Sequence, residues 1–235
     1  DGSRSPSGYL KWTKTWITHE YERPGALWGI NRKNYLPIDI PDRAYESNEE
    51  KKQIELLINK LVLLNGQEFP IEIDNEFERI AQLKKTDSPL QYWIIYPSIR
   101  AIRMWTNPFS SFGWPNEMPD SGLSKNERLA AAKGSISILK KKAIEYPVHA
   151  ISKAFNASYK LVLMILLIFS VFNLYKLKKE NPLFALNIVT ISYMASRTLF
   201  FSLSSNFETR YMLTTIPFIE TLVCLYIFSL FNKNK

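Results

Sequence analysis

The sequence predicts a mainly α-helical membrane protein, in which an extracytoplasmic domain of helices and irregular loops precedes three transmembrane helices. The prediction depends on how charge is distributed over the 235 residues. Residues 1–155 hold nineteen of the twenty-two acidic residues and twenty-two of the thirty basic residues, whereas residues 156–235 hold only three acidic residues among long apolar runs. The mean hydropathy of −0.15 is therefore the average of two regions of opposite character.

Composition excludes several kinds of site. Cys224 is the only cysteine in the sequence, so an internal disulfide cannot form. The two histidines, His19 and His149, have no second cysteine to complete a tetrahedral zinc set, and no metal site is predicted. The sequence contains neither a Gly-rich dinucleotide-binding motif nor a Walker-type phosphate loop, so no cofactor is expected.

Three apolar stretches, at residues 158–175, 183–203 and 212–231, each predict a spanning helix. At about 1.5 Å per residue, each stretch is long enough to cross the hydrocarbon layer of a bilayer. A soluble protein would have too little polar surface to bury three such helices within residues 156–235. A multi-pass membrane protein is therefore expected.

Basic residues at the ends of the spans predict the orientation. The turn after the first span and the end of the chain are rich in lysine, whereas the turn after the second span carries only Arg210. Lysine-rich ends are typically cytoplasmic, so residues 1–155 are predicted to be extracytoplasmic. The lysines within residues 124–160 favour the opposite orientation, but long domains cross the membrane largely regardless of their charge.

Residues 124–160 form a basic membrane-proximal segment, with eight basic and two acidic residues and hence a net charge of +6. Because the first span holds this segment close to the bilayer, its predicted partner is an anionic lipid surface. Nucleic acid is not a predicted partner, since no nucleic-acid-binding signature accompanies the charge.

An aromatic stripe marks the first predicted helix, over residues 7–19. Its members recur at spacings of three and four, which is the pattern of one helical face: Tyr9, Trp12, Trp16 and His19. Such a stripe usually belongs to a core, and a carbohydrate or lipid platform is the alternative. Glu20 and Glu22 could make His19 a general base, but adjacent residues on a helix point apart, so we interpret His19 as a surface residue.

Two amphipathic helices follow. Residues 47–64 predict a helix that Ser47 caps, with Glu50 three residues later as in a capping box. Residues 73–85 predict the next helix. The predicted inward-facing residues are Ile54, Leu57, Ile58, Leu61 and Leu64 in the first of these helices and Phe77, Ile80, Ala81 and Leu83 in the second.

A further helix is predicted over residues 88–105, which are apolar or aromatic on nearly every side. Pro97 interrupts it, and Arg100 and Arg103 make it too polar to span a membrane. We expect it to lie against the membrane face or another span, with its arginines reaching lipid phosphates. A kinked core helix of the extracytoplasmic domain is an equally good interpretation.

Four blocks of sequence carry a resemblance to a known family: SPSGYLKWTKTWITHEYE, PIDIPDRAYES, YPSIRAIRMWTNPFSSFGWP and NFETRYMLTTIPFIE. Together they resemble the C-terminal part of bacterial membrane glycosyltransferases of the GT-C type, relatives of the protein O-mannosyltransferases and the lipid A aminoarabinose transferases (glycosyltransferase family 39-like). The resemblance covers most of this chain but not the whole of such an enzyme. It agrees with a start at Asp1 rather than Met, from which we expect a C-terminal piece of a longer protein.

The resemblance implies an activity and a location. Enzymes of this family move a sugar from a polyprenyl-phosphate carrier to an acceptor at the outer face of the bacterial inner (plasma) membrane. The family's catalytic carboxylate lies in an early outer loop to which no residue here corresponds, so no catalytic residue is assigned, and the missing N-terminal transmembrane region is an implied partner. The alternative function is a non-enzymatic membrane-anchored module whose extracytoplasmic domain binds a partner or scaffolds a complex.

Candidate substrate-binding residues lie in the turn between the second and third spans. A polyprenyl phosphate keeps its anionic head at the membrane interface, where Arg210 could hold two phosphate oxygens. Glu208 is predicted to orient Arg210 or to contact a sugar hydroxyl, and Tyr211 to lie in the interfacial aromatic belt. An arginine that only marks the end of a span is the alternative.

Two further candidates, Arg197 and Glu220, lie inside the second and third spans. An isolated charge at such depth costs roughly 2.5 to 3.5 kcal/mol, so the two residues are predicted to form an ion pair. The pair, or Arg197 alone, could line a groove for the lipid carrier. A structural bridge between the spans is the interpretation that we favour.

Overall fold

The computed structural model describes residues 6–23, 26, 40–64, 68–106, 130, 135–174, 182–204 and 210–232. Most of these residues are helical and none of them lies in a strand, which confirms the predicted mainly α-helical fold class. The α-helices are α1 (Ser7–Thr13), α2 (Asn48–Leu63), α3 (Ile71–Asp87), α4 (Tyr96–Thr106), α5 (Ile136–Glu145), α6 (Pro147–Leu174), α7 (Pro182–Ser204), α8 (Arg210–Leu213) and α9 (Ile216–Asn232).

The chain divides into two compact units. Unit 1 comprises Asp1–Arg103 with Ser202–Phe207, and unit 2 comprises Met104–Phe201 with Glu208–Lys235. The domain boundary expected near residue 155 depends on composition alone and stays a prediction.

Unit 1 has an aromatic core built by α1 and α3. Tyr9, Trp12 and Trp16 are completely buried, and so is Phe77 of α3. The Phe77 ring lies 5.1 Å from the Tyr9 ring, edge-on, and 5.0 Å from the Trp12 ring, measured between centroids. The prediction that the aromatic stripe belongs to a core is therefore confirmed for its first three members, although α1 ends at Thr13 and both Trp16 and His19 lie beyond it.

The close approach of α1 to α3 requires a glycine. A Cβ atom on Gly8 would lie 1.9 Å from the carbonyl oxygen of Asp74 in α3. The Asp74 carboxylate in turn accepts a hydrogen bond of 2.9 Å from the Tyr9 amide, one of the donors that the start of α1 leaves without a helical partner. Gly8 and Asp74 thus fix how the two helices pack.

The predicted cap of α2 is present. Ser47 Oγ accepts a hydrogen bond of 3.1 Å from the Glu50 amide, while the Glu50 carboxylate accepts from the Glu46 amide at 3.0 Å instead of from the capping residue itself. Four of the five predicted inward-facing residues are buried: Ile54, Leu57, Ile58 and Leu61. Leu64, which follows the helix, is only partly buried.

One residue of α3 that was predicted to face the core, Leu83, is exposed. Leu83 is 48% exposed, whereas the neighbouring Lys84 is buried, and its ammonium lies 3.0 Å from the Glu50 carboxylate. Helical geometry explains the difference, because residues 77, 80, 81 and 84 share one face and residue 83 does not. The prediction for Leu83 was wrong because it followed residue type rather than helical position.

The helix that was predicted over residues 88–105 is present and has an irregular start. A π-helical segment, Gln91–Ile95, precedes α4. Pro97 lacks a backbone N–H and cannot donate the regular helical hydrogen bond, and a π-helical turn is one way in which a helix accommodates such a gap. One face of the segment is buried, including Tyr92, Pro97 and Arg100.

Three helices are long and apolar enough to cross a membrane, and all but the last three residues of the second belong to unit 2: Pro147–Phe172, Phe184–Ser204 and Tyr211–Phe228. A membrane protein is thus supported, as predicted. The first of these helices begins at Pro147, well before residue 158, because proline suits the first helical turn and no helix-breaking residue follows. Helix α6 packs against α9 through a cluster of buried side chains: Leu163, Leu167, Ile219, Leu222 and Val223.

Candidate functional site

An apolar cleft in unit 2 is the first element of the candidate site. Its cavity volume is about 30 Å³, and it lies between the end of α4 and helices α6, α8 and α9. Its lining residues are apolar except for one lysine: Met104, Trp105, Lys160, Leu163, Met164, Met212, Leu213, Ile216 and Ile219. A cavity of this volume holds about one water molecule, so its apolar lining is available to an alkyl or isoprenoid chain only as a surface, and Lys160 is the cationic residue of that lining.

A hydrogen bond holds the indole wall of the cleft. Trp105 Nε1 donates to Thr198 Oγ1 at 3.0 Å, and Thr198 Oγ1 donates to the Met194 carbonyl at 2.7 Å. Both the orientation of the indole and the threonine rotamer are therefore fixed by neutral partners on α7.

Glu220 of α9 accepts a hydrogen bond from the phenol of Tyr159 in α6. These two residues adjoin, in sequence, the cleft-lining residues Ile219 and Lys160. The partner of the Glu220 carboxylate is thus a neutral donor that can satisfy one oxygen but cannot neutralise its charge.

Arg197 of α7 is held by a different set of groups. Its guanidinium donates to the Tyr193 hydroxyl at 3.1 Å and to the Tyr211 carbonyl at 2.9 Å. It also lies over the rings of Tyr193 and Phe201, at 5.5 Å and 5.3 Å from the centroids, which is the geometry of cation–π contacts. The remaining guanidinium donor, Nε, is buried and has no hydrogen-bond partner.

The predicted ion pair between Arg197 and Glu220 is wrong. Among the residues that the structure describes, Arg197 has no carboxylate partner, and Glu220 pairs with Tyr159. The Arg197 guanidinium is bonded to the carbonyl of Tyr211, which precedes Glu220 by nine residues. Nine residues of helix extend over about 14 Å. The side chains cannot bridge that separation.

The structure brings together only part of the predicted substrate-binding set. Tyr211 lies beside Arg197, and its ring stacks on Phe201 at 4.3 Å with an interplanar angle of 11°. Glu208 and the side chain of Arg210 lie outside the described residues, although the backbone of Arg210 begins α8. Sequence reasoning missed Lys160 and Tyr159 as members of this region, although a lysine and a tyrosine inside an apolar run were visible signals.

Cationic residues outnumber acidic ones within the candidate spans. Lys153, Lys160 and Arg197 lie in them, against Glu220 alone. Three positive charges and one negative charge leave a net charge of +2 within the candidate spans. Such a region attracts an anionic group, and a phosphate is the anionic group that membrane lipids carry.

Unit 1 contains a second cluster of charged residues, around Glu22. The Glu22 carboxylate accepts hydrogen bonds from the amides of Thr18 and His19, both at 3.0 Å, and forms an ion pair with Arg43. His19 Nδ1 lies 3.3 Å from the same carboxylate. The interpretation of His19 as a plain surface residue was therefore wrong, because its side chain is partly buried against Glu22.

The chemistry of this cluster is structural. Burial by itself raises the pKa of Glu22, but hydrogen bonds from His19, Arg43 and the Thr18 amide outweigh it and lower the pKa to about 2. A carboxylate with such a pKa is a poor proton acceptor at neutral pH, so the cluster does not support a general base. The described residues also contain no group of three side chains able to hold a metal ion.

Arg100 likewise has a structural role. It is 1% exposed, and its guanidinium donates to the carbonyls of Ile17 at 2.7 Å, of Ser202 at 3.0 Å and of Lys14. Burial lowers its pKa to about 10, which leaves it charged at neutral pH. The expectation that Arg100 reaches lipid phosphates was wrong, because the guanidinium is turned inward to backbone carbonyls.

Comparisons of the chain with protein-family models, with characterised proteins and with solved structures find no match. The resemblance to GT-C type glycosyltransferases therefore stays an expectation.

Proposed function

We propose that this chain supplies the carrier-binding part of an integral membrane glycosyltransferase that transfers a sugar from a polyprenyl phosphate to an acceptor at the outer face of a bacterial plasma membrane. The observation that supports it best is an apolar cleft lined by Lys160, in a set of span helices with excess positive charge. A polyprenyl phosphate needs both features, an apolar surface for its tail and a cation for its head.

The proposal assigns binding, not bond making, to this chain. Arg210 holds the carrier phosphate through its planar guanidinium, and Lys160 adds charge at the cleft. Glu208 and Tyr211 contact the sugar or the interface beside Arg210. No residue here takes the place of the family's catalytic carboxylate, so that group belongs to another part of the enzyme.

The test is binding of a radiolabelled polyprenyl phosphate to the purified full chain in lipid nanodiscs. Arg210→Ala should weaken binding by about 1.5 to 3 kcal/mol, the range of a hydrogen bond to a charged group, and Arg210→Lys should recover part of the loss. Arg79→Ala, on an exposed surface of α3, is the control and should leave binding unchanged.

Two results would overturn the proposal. Equal affinity for the polyprenyl phosphate and for the matching polyprenol without phosphate would show that the chain does not bind the phosphate head. Absence of any binding by the folded full chain would favour the non-enzymatic membrane-anchored module instead.

The orientation of the chain is part of the proposal. The part of residues 1–155 that precedes the first candidate span at Pro147 lies outside, as does Asn206, and Lys178 and Lys235 lie in the cytoplasm. In a Cys224→Ser background, a membrane-impermeant thiol reagent applied to intact cells should label Asn206→Cys but not Lys178→Cys. The opposite labelling pattern would reverse the topology and remove the phosphate site from the outer face.

A further inference from the structure

The helical segment of residues 89–103 has two faces of opposite character in unit 1. One face is buried and includes Tyr92 and Arg100. The other carries large apolar side chains that are 40% to 61% exposed: Leu90, Trp93, Ile94, Ile95 and Ile102. We call these five residues the exposed apolar face. From residue 90 to residue 102 these side chains are spread over about 18 Å of helix, with four of the five within residues 90–95.

A hydrogen bond places this segment at a definite membrane depth. Arg100 donates to the carbonyl of Ser202 at 3.0 Å, and both residues are buried. Ser202 lies in the last turn of the candidate span Phe184–Ser204, which has 21 residues. A helix of that length is about 30 Å long and matches the hydrocarbon thickness of a bilayer, so its last turn lies near the interface. The segment that holds Arg100 must lie near the same level.

The residue types of the segment are typical of the membrane interface. Trp93 stands edge-on to Tyr92, with ring centroids 4.7 Å apart, and the Lys85 ammonium lies 5.1 Å from the centre of the Tyr92 ring. Trp and Tyr are enriched where hydrocarbon meets headgroups, and lysine reaches from that level towards lipid phosphates. A water-facing helix would gain nothing from the sequence Trp93-Ile94-Ile95.

We propose that the exposed apolar face is embedded in the headgroup region of the bilayer, so that residues 89–103 form an interfacial helix in addition to the three spans. The occupant of the face is bilayer lipid, because a segment bonded to the end of a span has lipid beside it at that depth. The two interpretations of this helix from sequence then apply to its two faces, one packed in the core of unit 1 and one in contact with the membrane. The proposal does not depend on glycosyl transfer.

The experiment measures the depth of single labels in the full chain. In a Cys224→Ser background, Trp93→Cys and Ile94→Cys are each labelled with a fluorescent bimane and reconstituted into vesicles of phosphatidylcholine and phosphatidylglycerol. Phosphatidylcholines brominated at successive acyl positions then quench the label according to its depth. Lys52→Cys, on an exposed face of α2, is the water-facing control, and Phe172→Cys, on an exposed face of α6, is the control within a span.

The labels at residues 93 and 94 should be quenched most by bromines close to the headgroups, which corresponds to a depth of roughly 5 to 10 Å below the boundary. The label at residue 172 should also be quenched, and the label at residue 52 should not. Circular dichroism identical to that of the parent confirms that each variant folds. Quenching at residue 93 no greater than at residue 52 would overturn the proposal. Energy transfer between labels on two copies, without quenching by lipid, would do so in favour of a second copy.

Discussion

Large apolar side chains are buried in unit 1, whereas many of those on the span helices of unit 2 are exposed. In unit 1, Tyr9, Trp12 and Trp16 are completely shielded from solvent. In the candidate spans, no more than 33% of any span is buried, and Phe172 is 68% exposed. Water drives apolar groups of unit 1 into contact with each other, whereas lipid tails are as apolar as the side chains and exert no such force. The exposure of these side chains is therefore typical of a water-soluble core in unit 1 and of lipid-facing helices in the candidate spans.

Buried polar groups without a hydrogen-bond partner occur in both regions. In unit 1, the charged groups of Glu22 and Arg100 each have several partners, but Trp12 Nε1 and Trp16 Nε1 have none. On α7, Asn187 Oδ1, Thr190 Oγ1 and Arg197 Nε are buried without a hydrogen-bond partner. These three residues share one face of α7 by helical spacing, and an unsatisfied polar group is costly inside a membrane. That face is where α7 has most to gain from a further polar contact.

The largest expected difference between the regions concerns a core aromatic residue. Trp12→Ala should lower the free energy of unfolding by about 4 kcal/mol, because it leaves a cavity among Tyr9, Trp16 and Phe77. Phe172→Ala removes a ring that faces lipid and should cost less than about 1 kcal/mol. Urea unfolding of the full chain in detergent micelles, followed by near-ultraviolet circular dichroism, measures both. Equal losses would mean that the ring of Phe172 is packed and that the comparison fails.

The same contrast explains how far the sequence could predict the fold. The face of α2 was predictable because water imposes a helical period on Ile54, Leu57, Ile58 and Leu61. The number of spans was predictable, but their packing was not. A helix that is apolar on all sides has no sequence periodicity that identifies the face in contact with a neighbouring helix. The Arg197–Glu220 pair was therefore inferred from depth alone, and the direction of each side chain decided otherwise.

The candidate site was predictable to a smaller extent. The sequence indicated that Arg197 needs a partner, but not that aromatic rings and the Tyr211 carbonyl would provide it. The cluster joins His19 and Glu22, three positions apart, to Arg43, which lies more than twenty positions further along the chain, and no local pattern indicates that contact.

The second largest expected effect is a loss of stability of unit 1 in acid. The folded-state pKa of Glu22 is about 2, below its usual 4.5. The carboxylate therefore stabilises unit 1 fully above pH 4.5, and this contribution is lost as the pH falls from 4.5 towards 2. At 1.36 kcal/mol per pH unit, the loss is about 3 kcal/mol.

Glu22→Gln should flatten the dependence of unfolding free energy on pH in that range, and Glu55→Gln, on an exposed face of α2, should retain it. Urea midpoints between pH 5 and pH 2 provide the measurement. A Glu22→Gln variant with the full acid dependence of the parent would show that another carboxylate stabilises unit 1.

The smallest expected effect tests the polar contacts of the spans by double-mutant cycles. Tyr159→Phe and Glu220→Gln should show a coupling of about 1 kcal/mol, because both residues belong to one hydrogen bond in the structure. Arg197→Gln and Glu220→Gln should show a coupling near zero, since their partners are different. Thermal unfolding in nanodiscs measures both cycles, with near-ultraviolet circular dichroism as the signal. If Arg197 and Glu220 couple more strongly than Tyr159 and Glu220, the ion pair forms in the bilayer after all, and the two spans pack with a different register.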